Sequence, residues 1–407
     1  MTTNSHITRA RLTLTLCSLA ALSEGFDNQS MGVAAPKLVP EFALSTGQAS
    51  VIFSAATLGL FLGAAFGGRI ADRVGRRDTL TVSMLLFGMC SLLTSLAIGA
   101  KSLFVARLLT GLGLGGALPN FIALASEATH QSRRVSSVTV IMAGMPFGGF
   151  LAGLVALGEP LGYGWRVIFA VGGILPLTTA LLMGLTRSTS ASAPAGTPSP
   201  PPRHAPDGID RVSSVLFGAG REPTTLMLWG GFFFTQLVLL LMLNWLPSLF
   251  VGLGFSGSQA SLASMCFNLG GAIGSTVLGR LHAGRRRGIW VVITYAGVVA
   301  ALGALPLAGE TFWLAAALGA AGGVFIIGAQ LILFALAPLY YERATRGTGV
   351  GAAVAVGRLG SVVGPLYAGA LFGGAGGSAR VLLGIVPFVA LAGAAALALT
   401  FRPQCAE

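Results

Sequence analysis

Stretches of about 20 predominantly apolar residues, parted by short hydrophilic connections, follow one another along almost the whole chain. About 20 helical residues cross a bilayer core roughly 30 Å thick, so each stretch is long enough to span a membrane. Twelve can be placed, at 12–33, 49–70, 79–99, 103–125, 136–158, 165–186, 224–249, 258–281, 289–308, 311–336, 347–372 and 380–401. Soluble domains carry about 25% charged residues. This chain carries 9%, with 54% hydrophobic residues, so its solvent is lipid. The expected fold class is an all-α polytopic membrane protein of twelve transmembrane helices.

The connection between the sixth and seventh stretches is different in kind. Its run RSTSASAPAGTPSPPPRHAPDGIDR holds too little apolar surface to bury a core and reads as a flexible linker. The chain therefore divides into a six-helix bundle at 1–186, a linker at 187–223 and a second six-helix bundle at 224–407. The Lys and Arg residues orient it, because basic residues gather on the cytoplasmic side. With the N-terminus inside, nineteen lie on the cytoplasmic side and only Lys37, Lys101, Arg166 and Arg380 outside. Both termini and the linker are then cytoplasmic, in an inner (plasma) membrane of bacterial type. This asymmetry, with attraction to anionic lipid headgroups, accounts for most of the net charge of +12, and no nucleic-acid partner is needed. The halves also echo each other: Gly-Arg-Arg at 75–77 recurs at 284–286, and the same offset carries Arg134 onto Arg343. Internal repeats mark transporters whose substrate site lies between two halves that rock about it.

Other chemistries find little support. Cys17, Cys90, Cys266 and Cys405 are scattered without a Cys-x-x-Cys pair, and the first three sit in apolar stretches as small hydrophobes. The four histidines lie far apart in or beside hydrophilic connections, so neither metal nor cofactor is expected. No nucleophile–base constellation suggests an enzyme. The first apolar stretch is too long, and too acidic, for a cleavable signal.

The second and third stretches are joined by GGRIADRVGRRD, 67–78. Gly68 permits close helix approach, Asp72 can accept bonds from arginines or a helix N-terminus, and Gly75 permits a tight turn. An ordinary basic loop would account for the arginines but not for the spacing. Gly68, Asp72, Arg73, Gly75, Arg76 and Arg77 match, in order, the signature G-x-x-x-D-R-x-G-R-R of the major facilitator superfamily, which the chain resembles over essentially its whole length. RLLTGLGLGGALPN at 107–120 is similar to the fourth-helix motif of that superfamily, with Arg107 as its arginine. Gly111, Gly113 and Gly116 also spell the dinucleotide fingerprint, but no strand precedes them and no acid follows about 20 residues on. They serve helix packing.

Three further stretches narrow the resemblance. EGFDNQSMGVAAP at 24–36, LTGLGLGGALPN at 109–120 and GRLGSVVGP at 357–365 resemble the aromatic acid:proton symporters, and LNWLPSLF at 243–250 adds to the match. Glu24, where that family commonly has Asp, resembles its 3-(3-hydroxyphenyl)propionate transporters. The second half departs from the superfamily signature, since Leu281 stands where the repeat would put a second Asp72. The resemblance therefore implies a gate on one half only, built from Gly68, Asp72, Arg73, Gly75, Arg76 and Arg77.

Four charges lie deep within the expected spans: Glu24, Asp27, Arg107 and Arg358. Intramembrane charges face protein or a water-filled cavity and are functional by default. At about 1.5 Å per residue, Asp27 and Arg107 reach comparable depths, as do Glu24 and Arg358. Glu24 and Asp27, three residues apart, share a helix face. In the superfamily fold helices 1, 4, 7 and 10 line the cavity while 2, 5, 8 and 11 border it, so the resemblance allows all four charges to meet. Asp27 is the expected principal proton carrier, with Arg107 and Glu24 beside it; Arg358 is the expected clamp for a substrate carboxylate, since guanidinium binds carboxylate bidentately. Gln236 and Asn268, polar at mid-depth, could hydrogen-bond a substrate, or join helices. Phe26, Phe53 and Phe147 could stack on an aromatic ring, and packed phenylalanine is the plainer reading.

The expected function is uptake of an aromatic carboxylate with protons by alternating access, in a monomer whose partners are substrate, protons and lipid. The rivals are a drug:proton antiporter of the same fold, whose fifth-helix signature GMPFGG at 144–149 only approximates, and a non-transporting membrane receptor. The arginines favour anions over cationic drugs, and the chain offers no substantial soluble output domain.

Overall fold

The computed structural model describes residues 2–129, 141–158, 164–188, 209–218, 220–282, 287–342, 345–373 and 376–403. Within these, the side chains of 2–9, 68, 69, 72, 127, 187, 188, 209–211, 279 and 282 lie outside the description. The helices are α1 (Thr2–Glu41), α2 (Thr46–Val74), α3 (Arg76–Ser95), α4 (Ala100–Glu127), α5 (Gly144–Leu157) and α6 (Arg166–Ser188). A short α7 (Ile209–Phe217) precedes α8 (Glu222–Gly252), α9 (Gly257–His282), α10 (Arg287–Ala304), α11 (Phe312–Leu336), α12 (Arg346–Phe372), α13 (Gly377–Gly384) and α14 (Val386–Thr400).

No strand occurs among the described residues, and ten helical stretches there are long and apolar enough to cross a membrane, α13 and α14 together forming one. The other two expected spans are α1, which carries Glu24 and Asp27, and the fifth, of which α5 is described while 130–140 lie outside the described residues. Most of the expected linker, 189–208, lies outside them too.

Local chemistry sets the helix ends, and it repeats between halves. Ser45 opens α2 with a capping box: its Oγ accepts from the Gln48 amide at 3.2 Å, and the Gln48 side chain accepts from the Ser45 amide at 3.0 Å. Ser256 and Gln259 build the same box before α9, at 3.2 and 2.9 Å. Gly75 turns the chain from α2 into α3 at φ +100°, a conformation that only glycine adopts without strain.

The helices form two bundles. In the first, α4 packs on α2 and α3, α1 on α5, and α3 on α6. In the second, α9 packs on α11, α8 on α12 and α14, and α10 on α11 and α14. Corresponding seams are glycine-lined. A Cβ on Gly59 or Gly63 would overlap the carbonyls of Leu108 or Leu112 across α2–α4, and one on Gly270 or Gly274 those of Ala320 or Val324 across α9–α11. Lipid tails are as apolar as leucine, so helices in a membrane associate through such close packing.

Between the bundles, α2 meets α12, α5 meets α9, and α1 meets α8. Thr46 and Ser50 press on Gly369, and Ser54 Oγ donates to the Val362 carbonyl at 2.8 Å. These contacts between the halves lie toward the α1–α2 connection. Further along α2, Leu58, Leu62 and Phe66 are exposed, as are Ala355 and Gly351 on α12.

Candidate functional site

The four membrane-embedded charges separate into two arrangements. Arg107, on α4, grips Asp27, on α1, through two parallel bonds of 2.7 and 2.9 Å. Asp27 is 1% and Arg107 2% exposed, and the guanidinium also lies 5.5 Å from the centre of the Phe169 ring. Planar guanidinium matches carboxylate geometry, which makes this a strong form of ion pair. The depth match seen in the sequence is realised as a contact wholly within the first bundle. Close packing of α1 on α5 fixes the position of Asp27, since a Cβ on Gly25 would overlap the Met145 carbonyl.

Glu24, one turn earlier on α1, is also 1% exposed, yet neither carboxylate oxygen has a hydrogen-bond partner. Arg358, on α12 of the other bundle, and Glu24 act on each other electrostatically across the interface without closing to an ion pair. Gln236, on α8, packs on α12 at Gly357, the residue before Arg358: its Cγ lies 3.3 Å from where a Cβ of Gly357 would stand, and its Oε1 is buried without a partner.

A polar latch joins the bundles beside these charges. Pro247 has no N–H, so the carbonyl of Leu243, four residues earlier in α8, lacks its helical donor. Gln29 of α1 supplies one, donating from Nε2 at 3.1 Å, while its Oε1 accepts from Asn268 Nδ2 of α9 at 2.9 Å. Asn268 Nδ2 also donates to the Ser264 carbonyl at 2.9 Å. Of the two readings the sequence left for Asn268, helix joining is the one seen here. Phe53 is 2% exposed and meets Trp245 edge-on at 5.2 Å, another contact between bundles. Phe26 packs on Gly172 within the first bundle, whereas Phe147 is exposed.

The gating motif is described in part, since the side chains of Gly68 and Asp72 lie outside the described residues. Arg77 caps the end of α6, donating to the Met183 carbonyl at 2.9 Å and to Thr186 Oγ1 at 2.5 Å. Arg73 and Arg76 are exposed. Among the described residues no cluster of metal-ligating side chains occurs.

Sequence reasoning passed over Gln29 and Gln330. Gln330, on α11, is 6% exposed with both amide atoms unpartnered. The signal for Gln29 was Pro247, since a proline inside a span orphans a carbonyl one turn earlier.

Two bundles, an internal repeat and membrane-embedded charges of which Glu24 and Arg358 stand on opposite bundles define a secondary transporter architecture. Residues 17–307 match the model of the Major Facilitator Superfamily, and the chain belongs to that family. It is similar, at 40% identity over 98% of this chain and 96% of the relative, to a 3-(3-hydroxy-phenyl)propionate transporter of Escherichia coli (strain K12). A gallate transporter of Pseudomonas putida is 33% identical over 88% of this chain and 85% of its own, and the 4-hydroxybenzoate transporter PcaK of Pseudomonas aeruginosa 30% over 94% and 90%. In fold the chain resembles a bacterial homologue of the human lysosomal transporter Spinster, solved inward-facing and unoccupied, with TM-score 0.79, 18% identity and 96% and 97% of the two chains covered. A D-xylose–proton symporter gives 0.75, with 19% identity, over 97% and 98%. The protein is a multi-span membrane transporter and not an enzyme.

Proposed function

We propose that this transporter imports an aromatic carboxylate, of hydroxyphenylpropionate or hydroxybenzoate type, together with protons across a bacterial inner membrane by alternating access. One observation carries the reading: Glu24, on one half, is buried with neither carboxylate oxygen hydrogen-bonded, and the arginine it interacts with electrostatically, Arg358, stands on the other half. A substrate carboxylate arriving between the halves gives Arg358 a bidentate partner. Glu24 then stands opposite a negative charge and takes up a proton, so substrate and proton enter as a neutral pair. Gln236 supplies a polar wall beside Arg358, and Asn268 and Phe53 bound the site where the halves close.

Asp27, Arg107 and Glu24 form the proton-coupling group. Glu24 can bind a proton without first breaking a bond, whereas Asp27 must release Arg107 to do so. The basic asymmetry of the connections puts both termini, and with them the α2–α3 connection, on the cytoplasmic side. A carboxylate and one proton entering together carry no net charge, so the pH gradient, about 1.4 kcal/mol per pH unit, is the source of accumulation.

The test is uptake of labelled 3-(3-hydroxyphenyl)propionate by proteoliposomes under an imposed pH gradient. Accumulation above the outside level, abolished by a protonophore, is expected. Failure to accumulate any aromatic acid, with gradient-driven export of a cationic drug instead, overturns the reading in favour of the antiporter.

A further inference from the structure

Helices α8 and α11 run antiparallel beside each other. The Phe232 and Phe334 rings meet edge-on between them at 5.2 Å, and Gly231 faces Leu333. One turn along from these rings, at i+4 on α8 and i−4 on α11, stand Gln236 and Gln330. The two amides therefore share one interhelical space, one turn deeper into the span than the aromatic pair. Gln236 is 7% and Gln330 6% exposed. Oε1 of both, and Nε2 of Gln330, are buried without a hydrogen-bond partner.

A buried amide left unpaired costs about 1–3 kcal/mol, so a ligand group that answers both amides is stabilised there. Their chemistry narrows what that ligand is. Carbonyl oxygens call for a donor and the Nε2 group for an acceptor. A carboxylate only accepts, an ammonium only donates, and an alkyl group does neither. A neutral hydroxyl does both. Arg358, next to the Gly357 surface that Gln236 touches, takes the carboxylate, which leaves the amides for a group elsewhere on the same molecule.

We propose that Gln330, paired with Gln236, is the subsite that hydrogen-bonds the ring hydroxyl of the substrate and so selects phenolic over unsubstituted aryl carboxylates. This rests on the aromatic-carboxylate reading above. A site built to bond a hydroxyl rejects the analogue lacking it, because its own polar groups then stay unpaired.

The experiment compares two ligands that differ by one oxygen, 3-(3-hydroxyphenyl)propionate and 3-phenylpropionate, in binding to purified full-length protein. Wild type is expected to favour the phenol, and in Gln330→Met the ratio of the two affinities should fall about tenfold, the value of one good hydrogen bond. Gln236→Met, read on the same ratio, keeps the question open to an answer if the first variant does not fold. Equal weakening of both ligands marks the amides as helix-joining groups and overturns the inference, as does an unchanged ratio. Wild-type protein that binds both ligands equally overturns the inference alone. Wild-type protein that binds neither overturns the aromatic-acid reading and this inference with it.

Discussion

Asp27–Arg107 and Glu24–Arg358 are two acid–arginine pairings a single helical turn apart, and they are built to opposite ends. The first is closed, bidentate and confined to one bundle. The second is open and divided between the two bundles. The closed pair ties α1 to α4, and a proton reaches Asp27 only when Arg107 lets go. Under the alternating-access proposal, the divided pair is the one that a change of state, a ligand or a proton alters directly.

The largest effect should come from breaking the closed pair. Arg107→Gln or Asp27→Asn alone leaves a buried charge uncompensated and should cost about 3–5 kcal/mol of stability, read as a drop in thermal midpoint in detergent. The double variant should recover much of the loss. If Arg358→Gln is as damaging, the contrast between the pairs collapses.

Next comes the proton. Glu24→Gln removes a titratable group that has no hydrogen-bond partner to lose. Accumulation driven by a pH gradient should vanish, while exchange of labelled for unlabelled substrate without a gradient should persist. Retained accumulation would transfer the proton to Asp27.

Arg358→Lys sharpens the same comparison on the substrate side. Charge is kept but the planar fork is lost, and binding of the aromatic carboxylate should weaken about tenfold. Unchanged affinity takes Arg358 out of the site.

The smallest effect belongs to an ion pair at the membrane surface. Glu41, at the end of α1, accepts from Trp165 Nε1 at 2.5 Å and pairs with Arg166 at 2.6 Å. The indole N–H first, and Arg166 second, hold this carboxyl below its ordinary range. A lowered folded-state value means the contribution is present above the unfolded value, near 4.5, and fades as pH falls below it. Both side chains are more than a third exposed, so Glu41→Gln should barely move the thermal midpoint at neutral pH. A large shift there would mean that exposed pairs matter as much as buried ones.

Most of the fold class was legible because the bilayer imposes one length and one polarity on every span. The closed pair was legible from depth, since α1 and α4 enter from opposite sides and about 1.5 Å per residue brings Asp27 level with Arg107. Depth could not reveal which acid is ligated, because that depends on how each helix is rotated against its neighbours. Gln330 stayed hidden because one amide in a span of mean hydropathy 2.2 says nothing until the register of α8 against α11 is known. Pro247 announced an orphan carbonyl, but only packing named Gln29 as its donor.

The glycine seams have a consequence for anyone who wishes to retarget this carrier. Where Gly59, Gly63, Gly270 and Gly274 lie backbone to backbone against the facing helix, every side chain other than hydrogen collides with main chain, and main chain does not yield. Random mutagenesis spread evenly over the gene would therefore squander many of its clones on proteins that never assemble. A library confined to the proposed site positions, Gln236, Gln330 and Phe53, leaves the seam glycines untouched and the architecture still.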